Sequence, residues 1–430
     1  MSSVQQIGQV SDASAPHPVP QRAGTARRIV FLNKYFYPDH SATSQLLTDL
    51  AFHLARSGEQ VRVLASRQLY DDPSARLPEQ EEIDGVAIRR ISTTSFGRAT
   101  LLGRGVDYLS FYRSAWRCLL EQTAPGDILV AKTDPPLLCV PALQAARRRG
   151  LRLVNWLQDL YPEIAVELGV PLVKGPVASG LYRLRDAALR EAAANVVIGD
   201  RMADLIRARG APPERIHVFA NWTDDEEIRP LARLDNPLRR DWGLGDRFVV
   251  GYSGNLGRGH EFDTVLGAAE LLHDLTDVVF LMIGGGSGFG ALRRQVAERG
   301  LEDMFRFLPY QDRATLKYSL GVPDLHWLSL RPELEGTIVP GKLYGIAAAG
   351  RPIVAITAAD GEVARLVRKH GSGFVVTPGD GARLASELRR LRADPDSLAQ
   401  MGVNARRMLE GEYTRRHAYE RWRNLFAGLT

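Results

Sequence analysis

A carboxylate and a lysine with the spacing for chemistry share one stretch, RPELEGTIVPGKLYGIAAAGRPIVA, running from Arg331 to Ala355. The apolar run before it, Asp324 to Leu330, reads as a strand. The chain breaks at Pro332 and restarts as a helix near Pro340, because proline suits a first helical turn whose N–H groups lack internal partners. Gly350-Arg351-Pro352 stops that helix, and Ile353-Val354-Ala355 begins another strand. A helix N-terminus offers free N–H groups and a partial positive charge, which favour phosphate. Lys342 adds a full charge there, and Glu335 can accept hydrogen bonds from sugar hydroxyls. Phosphate at one end and sugar at the other describe a nucleotide-sugar pocket. A plain strand–helix–strand unit with both side chains solvated reads the same from this stretch alone.

Asp159 and Glu163 follow the run Leu151 to Leu157 in Gln158-Asp159-Leu160-Tyr161-Pro162-Glu163. Two carboxylates and an amide then sit at the carboxyl end of a strand, the edge that carries ligands in doubly wound sheets. The plainer role for Asp159 is a helix cap or a structural hydrogen bond. Two glycine-rich loops also follow strands, Ser253 to His260 and Gly284 to Gly290. The second does not fit the dinucleotide pattern GxGxxG, since Phe289 stands where the last glycine belongs. The loop Asn33 to Ser44, after the first strand, carries Tyr37 and Thr43 toward the same kind of edge.

These segments need sheets to position them. Arg27 to Leu32, a helix from Gln45 to Ser57 and Val61 to Ala65 form a strand–helix–strand start, and the alternation continues to Asn221-Trp222-Thr223-Asp224. It lapses into charges and prolines, then resumes at Phe248. Two doubly wound parallel sheets are predicted. The divisions are a disordered tail 1–25, a first domain 26–225, a linker 226–246, a second domain 247–412, and a last helix 413–430 packing back on the first domain. The 430 residues suit more than one domain. A net charge of +5 is too small for a dedicated nucleic-acid binder. Cys118 and Cys139 lack metal-ligand spacing and fit a reducing cytoplasm. No apolar run is long enough to span a membrane. The stretch Leu101 to Leu120 sets Tyr108, Phe111, Tyr112, Ala115 and Leu119 on one side with arginines nearby. That pattern suits either a core-facing helix or an anionic membrane surface.

The motifs resemble those of the retaining glycosyltransferase family 4, also called group 1, whose fold is GT-B: two Rossmann-like domains facing a central cleft. Gly254-Asn255-Leu256-Gly257 is similar to its phosphate loop, Ile283-Gly284-Gly285-Gly286 with Leu292 to its vGxG element, and Phe305 to Tyr310 to the strand whose end holds the base. Glu335-Gly336 with Ala348-Ala349-Gly350-Arg351-Pro352 resembles its EG…EAmAxGxP region. DLYPE at Asp159 to Glu163, with Pro340-Gly341-Lys342-Leu343-Tyr344, resembles the branch that makes bacterial surface polysaccharides, including colanic-acid and fucosamine-type enzymes. The resemblance implies donor contacts at Gly254, Asn255, Arg258, His260, Gly284, Gly285, Leu308, Pro309, Lys342, Leu343 and Tyr344. It implies acceptor contacts at Tyr37, Thr43 and Glu163, and catalytic roles for Asp159 and Glu335.

The family's second glutamate falls on Leu343 or Gly345, so it is missing. Asn255 and His260 replace the usual Arg and Lys, leaving Arg258 and Lys342 as substitutes, and His40-Ser41-Ala42-Thr43 replaces a Gly-Gly loop. The expected reaction moves a sugar from a UDP- or GDP-sugar to a lipid-linked or growing saccharide, with retention and without metal or other cofactor. It is expected on the cytoplasmic membrane face, in exopolysaccharide, O-antigen or capsule synthesis. A nucleotide-sugar epimerase of the same fold and a non-catalytic nucleotide-binding scaffold are the alternatives.

Overall fold

The computed structural model describes residues 27–96 and 101–429; the tail expected to be disordered lies outside them. The first sheet contains β1 (Ile29–Leu32), β2 (Val61–Ser66), β3 (Gln80–Ile83), β4 (Val86–Ile91), β5 (Ile128–Ala131), β6 (Arg152–Leu157), β7 (Ala194–Val197) and β8 (Ile216–Val218). Its spatial order is β3-β4-β2-β1-β5-β6-β7-β8. Every pairing is parallel except the edge hairpin β3–β4. The second sheet contains β9 (Phe248–Asn255), β10 (Val278–Gly285), β11 (Phe305–Leu308), β12 (Leu325–Ser329), β13 (Ile353–Ile356) and β14 (Gly373–Val376). It is all parallel in the order β11-β10-β9-β12-β13-β14.

The strands are near-continuous apolar runs because helices cover both faces. Val30, Leu32 and Leu129 pack toward the helices Leu101–Gln122, Cys139–Arg149 and Gly175–Glu191. Ile29, Phe31 and Val130 face the helices Ala42–Arg56 and Arg415–Gly428. The last helix seats Trp422 and Phe426 in the first domain, against Trp156, Phe219 and Phe31. Tyr419 stacks on His53 with ring centroids 4.0 Å apart.

A third core joins the two domains. Leu157, Leu160, Met202 and Ile206 meet Val339, Leu343, Ile346 and Val363 in one buried cluster. Hydrogen bonds tie the same seam: Leu160 N–H donates to Thr337 O at 2.9 Å, and Asp159 pairs with Ile338 as a short antiparallel bridge. Arg406 donates to Ile228 O, Ala348 O and Asp225 O, fastening the interdomain connection.

Candidate active site

The carboxyl ends of β9, β10, β11 and β12 converge on one side of the second sheet. Gly284 has φ +129°, and a Cβ there would lie 2.2 Å from Gly254 O. At Gly286, φ +115°, a Cβ would strike Asn255 Oδ1 at 2.1 Å. Only glycine permits this approach, because those dihedrals and distances exclude a side chain. The loops then lock together: Leu256 N–H donates to Gly285 O, and Gly288 N–H donates to Leu256 O, both at 2.8 Å. The result is a rigid backbone cradle with Asn255 exposed on it. Leu308 ends β11 partly exposed, Pro309 is exposed, and the Tyr310 ring lies beside Gly285. Tyr70 and Asp71 of the first domain stand near Tyr310 across the cleft mouth.

Lys342 enters this cradle from the helix Lys342–Ala348. Its Nζ donates to Asn255 O at 3.1 Å, lies 3.3 Å from His260 Nε2, and sits 5.2 Å over the Tyr252 ring. His260 Nδ1 is 2.5 Å from Ser329 O; a carbonyl only accepts, so Nδ1 carries the proton and Nε2 accepts from Lys342. Burial and the Lys342 charge push the His260 pKa down to about 4, which keeps the ring neutral. Burial lowers Lys342 to about 8. Two of its three N–H groups are used, and the third is available to an anion.

Several expected contacts are corrected. The Leu343 and Tyr344 side chains are buried in the interdomain core, and their amides donate to Pro340 O and Gly341 O. They cannot line a donor pocket. Arg258 reaches across the cleft instead of turning to a phosphate, donating to Leu168 O at 2.6 Å. The carboxylate of Glu335 accepts from Thr357 Oγ1 and from Glu362 N–H at 3.2 Å. It thereby satisfies the first turn of the helix Glu362–His370, whose free N–H attracts it. Glu163 forms a buried pair with Arg185, at 2.9 and 2.5 Å, with Arg209 at 3.6 Å. That carboxylate anchors the helix Gly175–Glu191 and does not border the cavity described next. Tyr37 is exposed, tilts against Phe52, and lies outside the cavity described next.

A cavity of about 360 Å³ opens between the domains, bordered by Thr43, Asp159, Trp222, Val339 and Gly341. Asp49, Asp224, Arg313 and Arg415 form one wall, with Arg415 bridging Asp49 at 3.0 Å and Asp224 at 2.9 Å. Gln158 and Asn221 exchange reciprocal amide hydrogen bonds at 2.9 and 2.8 Å beneath it. Asp159 is half-buried, with one edge on the cavity. Its carboxylate makes no hydrogen bond among the described residues. Enclosure and the nearby Asp134 raise its pKa to about 6, against a lowering influence from Lys132. Sequence reading left Lys132 and Asp134 without a role. Their signal was position, since both follow β5 at the carboxyl edge. Among the described residues no three His, Cys, Asp or Glu side chains form a metal-binding group.

The glycosyl transferase 4-like domain model matches residues 43–222, and the glycosyl transferases group 1 model matches residues 236–408. The chain belongs to the group 1 glycosyltransferases. It is 29% identical over 305 residues to the probable glycosyltransferase WbjE of Pseudomonas aeruginosa, covering 69% of this chain and 73% of WbjE. It is 25% identical to the putative colanic acid biosynthesis glycosyl transferase WcaI of Escherichia coli (strain K12), over 88% of this chain and 95% of WcaI. Anabaena HepE, solved with UDP-glucose, superposes with a TM-score of 0.69 at 18% identity, covering 93% of this chain and 99% of HepE. The architecture is GT-B. The chain is a glycosyltransferase with a nucleotide-sugar donor.

Proposed function

We propose that this glycosyltransferase moves a sugar, with retention, from a UDP- or GDP-sugar to a lipid-linked saccharide in bacterial surface-polysaccharide assembly. The observation that carries the reading is Lys342: a half-buried lysine with one uncommitted N–H, held by Asn255 and His260 where three strand-end loops meet. Such a group suits a diphosphate, and it is most effective on the charge that grows as the nucleotide departs. The bond from the anomeric carbon to the diphosphate oxygen breaks, and a bond to the acceptor oxygen forms on the same face. The acceptor hydroxyl proton passes to the departing phosphate. Asp159, across the seam, orients that hydroxyl. The reading requires no metal, because Lys342 carries the positive charge.

The acceptor reading draws support from the first-domain rim. Leu102, Val106 and Leu109 are exposed on the helix Leu101–Gln122, and Leu172 and Val177 are exposed where the helix Gly175–Glu191 begins. The helix Cys139–Arg149 packs between those two. Arg113, Arg117, Lys174 and Arg183 are exposed nearby. Apolar residues flanked by basic ones suit the surface of an anionic leaflet. Among the described residues no helix is long and apolar enough to cross a membrane. The face named from sequence, Phe111, Ala115 and Leu119, is the core face; the exposed stripe lies elsewhere on the helix. The test is incubation with UDP- and GDP-sugars, with and without bacterial lipid extract. Labelled lipid-linked product supports the reading; donor conversion that ignores the extract contradicts it.

A further inference from the structure

Lys132 is fully enclosed, at 1% exposure, and its Nζ has no hydrogen-bond partner. The register explains its position. Ala131 pairs with Asn155, so Lys132 emerges beside Trp156, and Nζ lies 3.3 Å from the centre of that ring. Trp156 stacks on Trp222, which borders the interdomain cavity, so the ammonium lies just behind the cavity wall. Burial drives the Lys132 amine well below the usual lysine range, and the charges of Asp159, beyond the end of β6, and Asp134, beyond β5, oppose that by favouring its protonated form. β1 and β5 flank the point where the chain order of the first sheet reverses, the place where such sheets bind ligands. An enclosed ammonium without hydrogen bonds destabilises a fold unless charge offsets it. A methionine would fill the same space without that cost, so packing alone does not account for a lysine.

We propose that Lys132 is a positioning residue for sugar transfer, an enclosed cation behind the cavity wall that steadies the Asp159 carboxylate for the acceptor hydroxyl while Asp134 opposes it. This rests on the reading of Asp159 as the group that orients the acceptor. Among the described residues, the other titratable groups around Asp159 are Tyr161 on its own loop, with Tyr108 and Arg104 behind it and the buried Lys34 against Tyr108. On the cavity side are Asp49, Asp224, Glu227, Arg313 and Arg415. The Arg313 and Arg415 charges are taken up by Asp49, Asp224 and Glu227. Among the described residues, Lys132 is the cation whose charge favours the ionised Asp159 carboxylate.

The test uses Lys132→Met, Lys132→Arg, Asp134→Asn and Asp159→Asn in the full chain. Transfer from labelled UDP-glucose and GDP-mannose to bacterial lipid extract is followed against pH. Lys132→Met should lower kcat by about tenfold or more without changing donor KM, the pattern of an interaction made only during reaction. It should move the acid limb of the profile upward by about one pH unit, and Asp134→Asn should move it downward, because each removes a charge of opposite sign. Lys132→Arg should return the limb toward the wild-type position. An unmoved limb in Lys132→Met overturns the proposal. If Asp159→Asn is fully active, the Asp159 reading fails; if it is impaired while Lys132→Met behaves as wild type, only the Lys132 inference fails. A cycle of melting temperatures at pH 7 tests the pair without turnover. Asp159→Asn should raise Tm more in the Lys132→Met background than in wild type. Equal shifts in the two backgrounds also overturn the proposal.

Discussion

Replacing Asp159 with asparagine should separate stability from catalysis. In the folded protein its pKa is raised to about 6 by enclosure and by Asp134. An unfolded aspartate titrates near ~3.9. Below both values the two states bind the proton equally. As pH rises from about 4 to about 6, the unfolded chain loses its proton first, and the folded state loses relative stability. Above the folded value the penalty is constant. Two pKa units correspond to about 3 kcal/mol at ~1.4 kcal/mol each. Asparagine resembles the protonated acid, so Asp159→Asn should stabilise the protein by up to about 3 kcal/mol at pH 7 and by almost nothing near pH 4. Turnover should fall about 10²-fold or more, with donor affinity unchanged. Urea unfolding at the two pH values, with transfer assays on the same preparation, measures both. Lower stability at pH 7, or an equal difference at both pH values, would refute this reasoning. A carboxylate kept where it weakens the fold is what a functional site shows.

Lys342→Ala should weaken UDP or GDP binding by roughly 1.5–3 kcal/mol, the loss of one charge-assisted hydrogen bond. Its pKa of about 8 adds a pH test: a diphosphate stabilises the charged amine, so wild-type affinity should be full below that value and fall as pH rises through it; calorimetry that shows no such fall removes Lys342 from the site. Leu343→Ala should lower unfolding free energy by about 2–5 kcal/mol, because the side chain fills the interdomain core; a change under about 0.5 kcal/mol, the usual range for a surface position, would contradict that placement. Vesicle flotation should show stronger binding to anionic than to neutral lipid, weakening with salt, and Leu102→Glu with Leu109→Glu should abolish it; binding unchanged by those substitutions would exclude the rim.

The alternation of strands and helices was legible because buried parallel strands are apolar throughout and their helices are amphipathic. The loops at Gly254 and Gly284 were legible because glycine is required where two strand-end backbones approach. The edge strand Gln80–Ile83 was not, since three of its four residues, QEEI, are polar and none is buried, and only pairing with β4 makes them a strand. Glu163 looked like a cleft carboxylate because its partner, Arg185, lies a helix away in sequence. Leu343 and Tyr344 sit beside Lys342 in the motif, but on a helix neighbouring residues point to different sides, and these two face the core. For the helix Leu101–Gln122, periodicity revealed the stripe of Phe111, Ala115 and Leu119 but not what covers it. That depends on the helix Cys139–Arg149 packing alongside. Lys132 was hidden because nothing local marks a buried lysine; the Trp156 ring beneath it comes from the next strand.

Nuclear magnetic resonance of the product formed from an α-linked UDP- or GDP-sugar and a lipid-linked acceptor tests sugar transfer with retention most directly. The anomeric proton of the new linkage should show the α configuration, with UDP or GDP released in equal amount. A β-linked product, or an epimerised nucleotide sugar formed without acceptor, would contradict it.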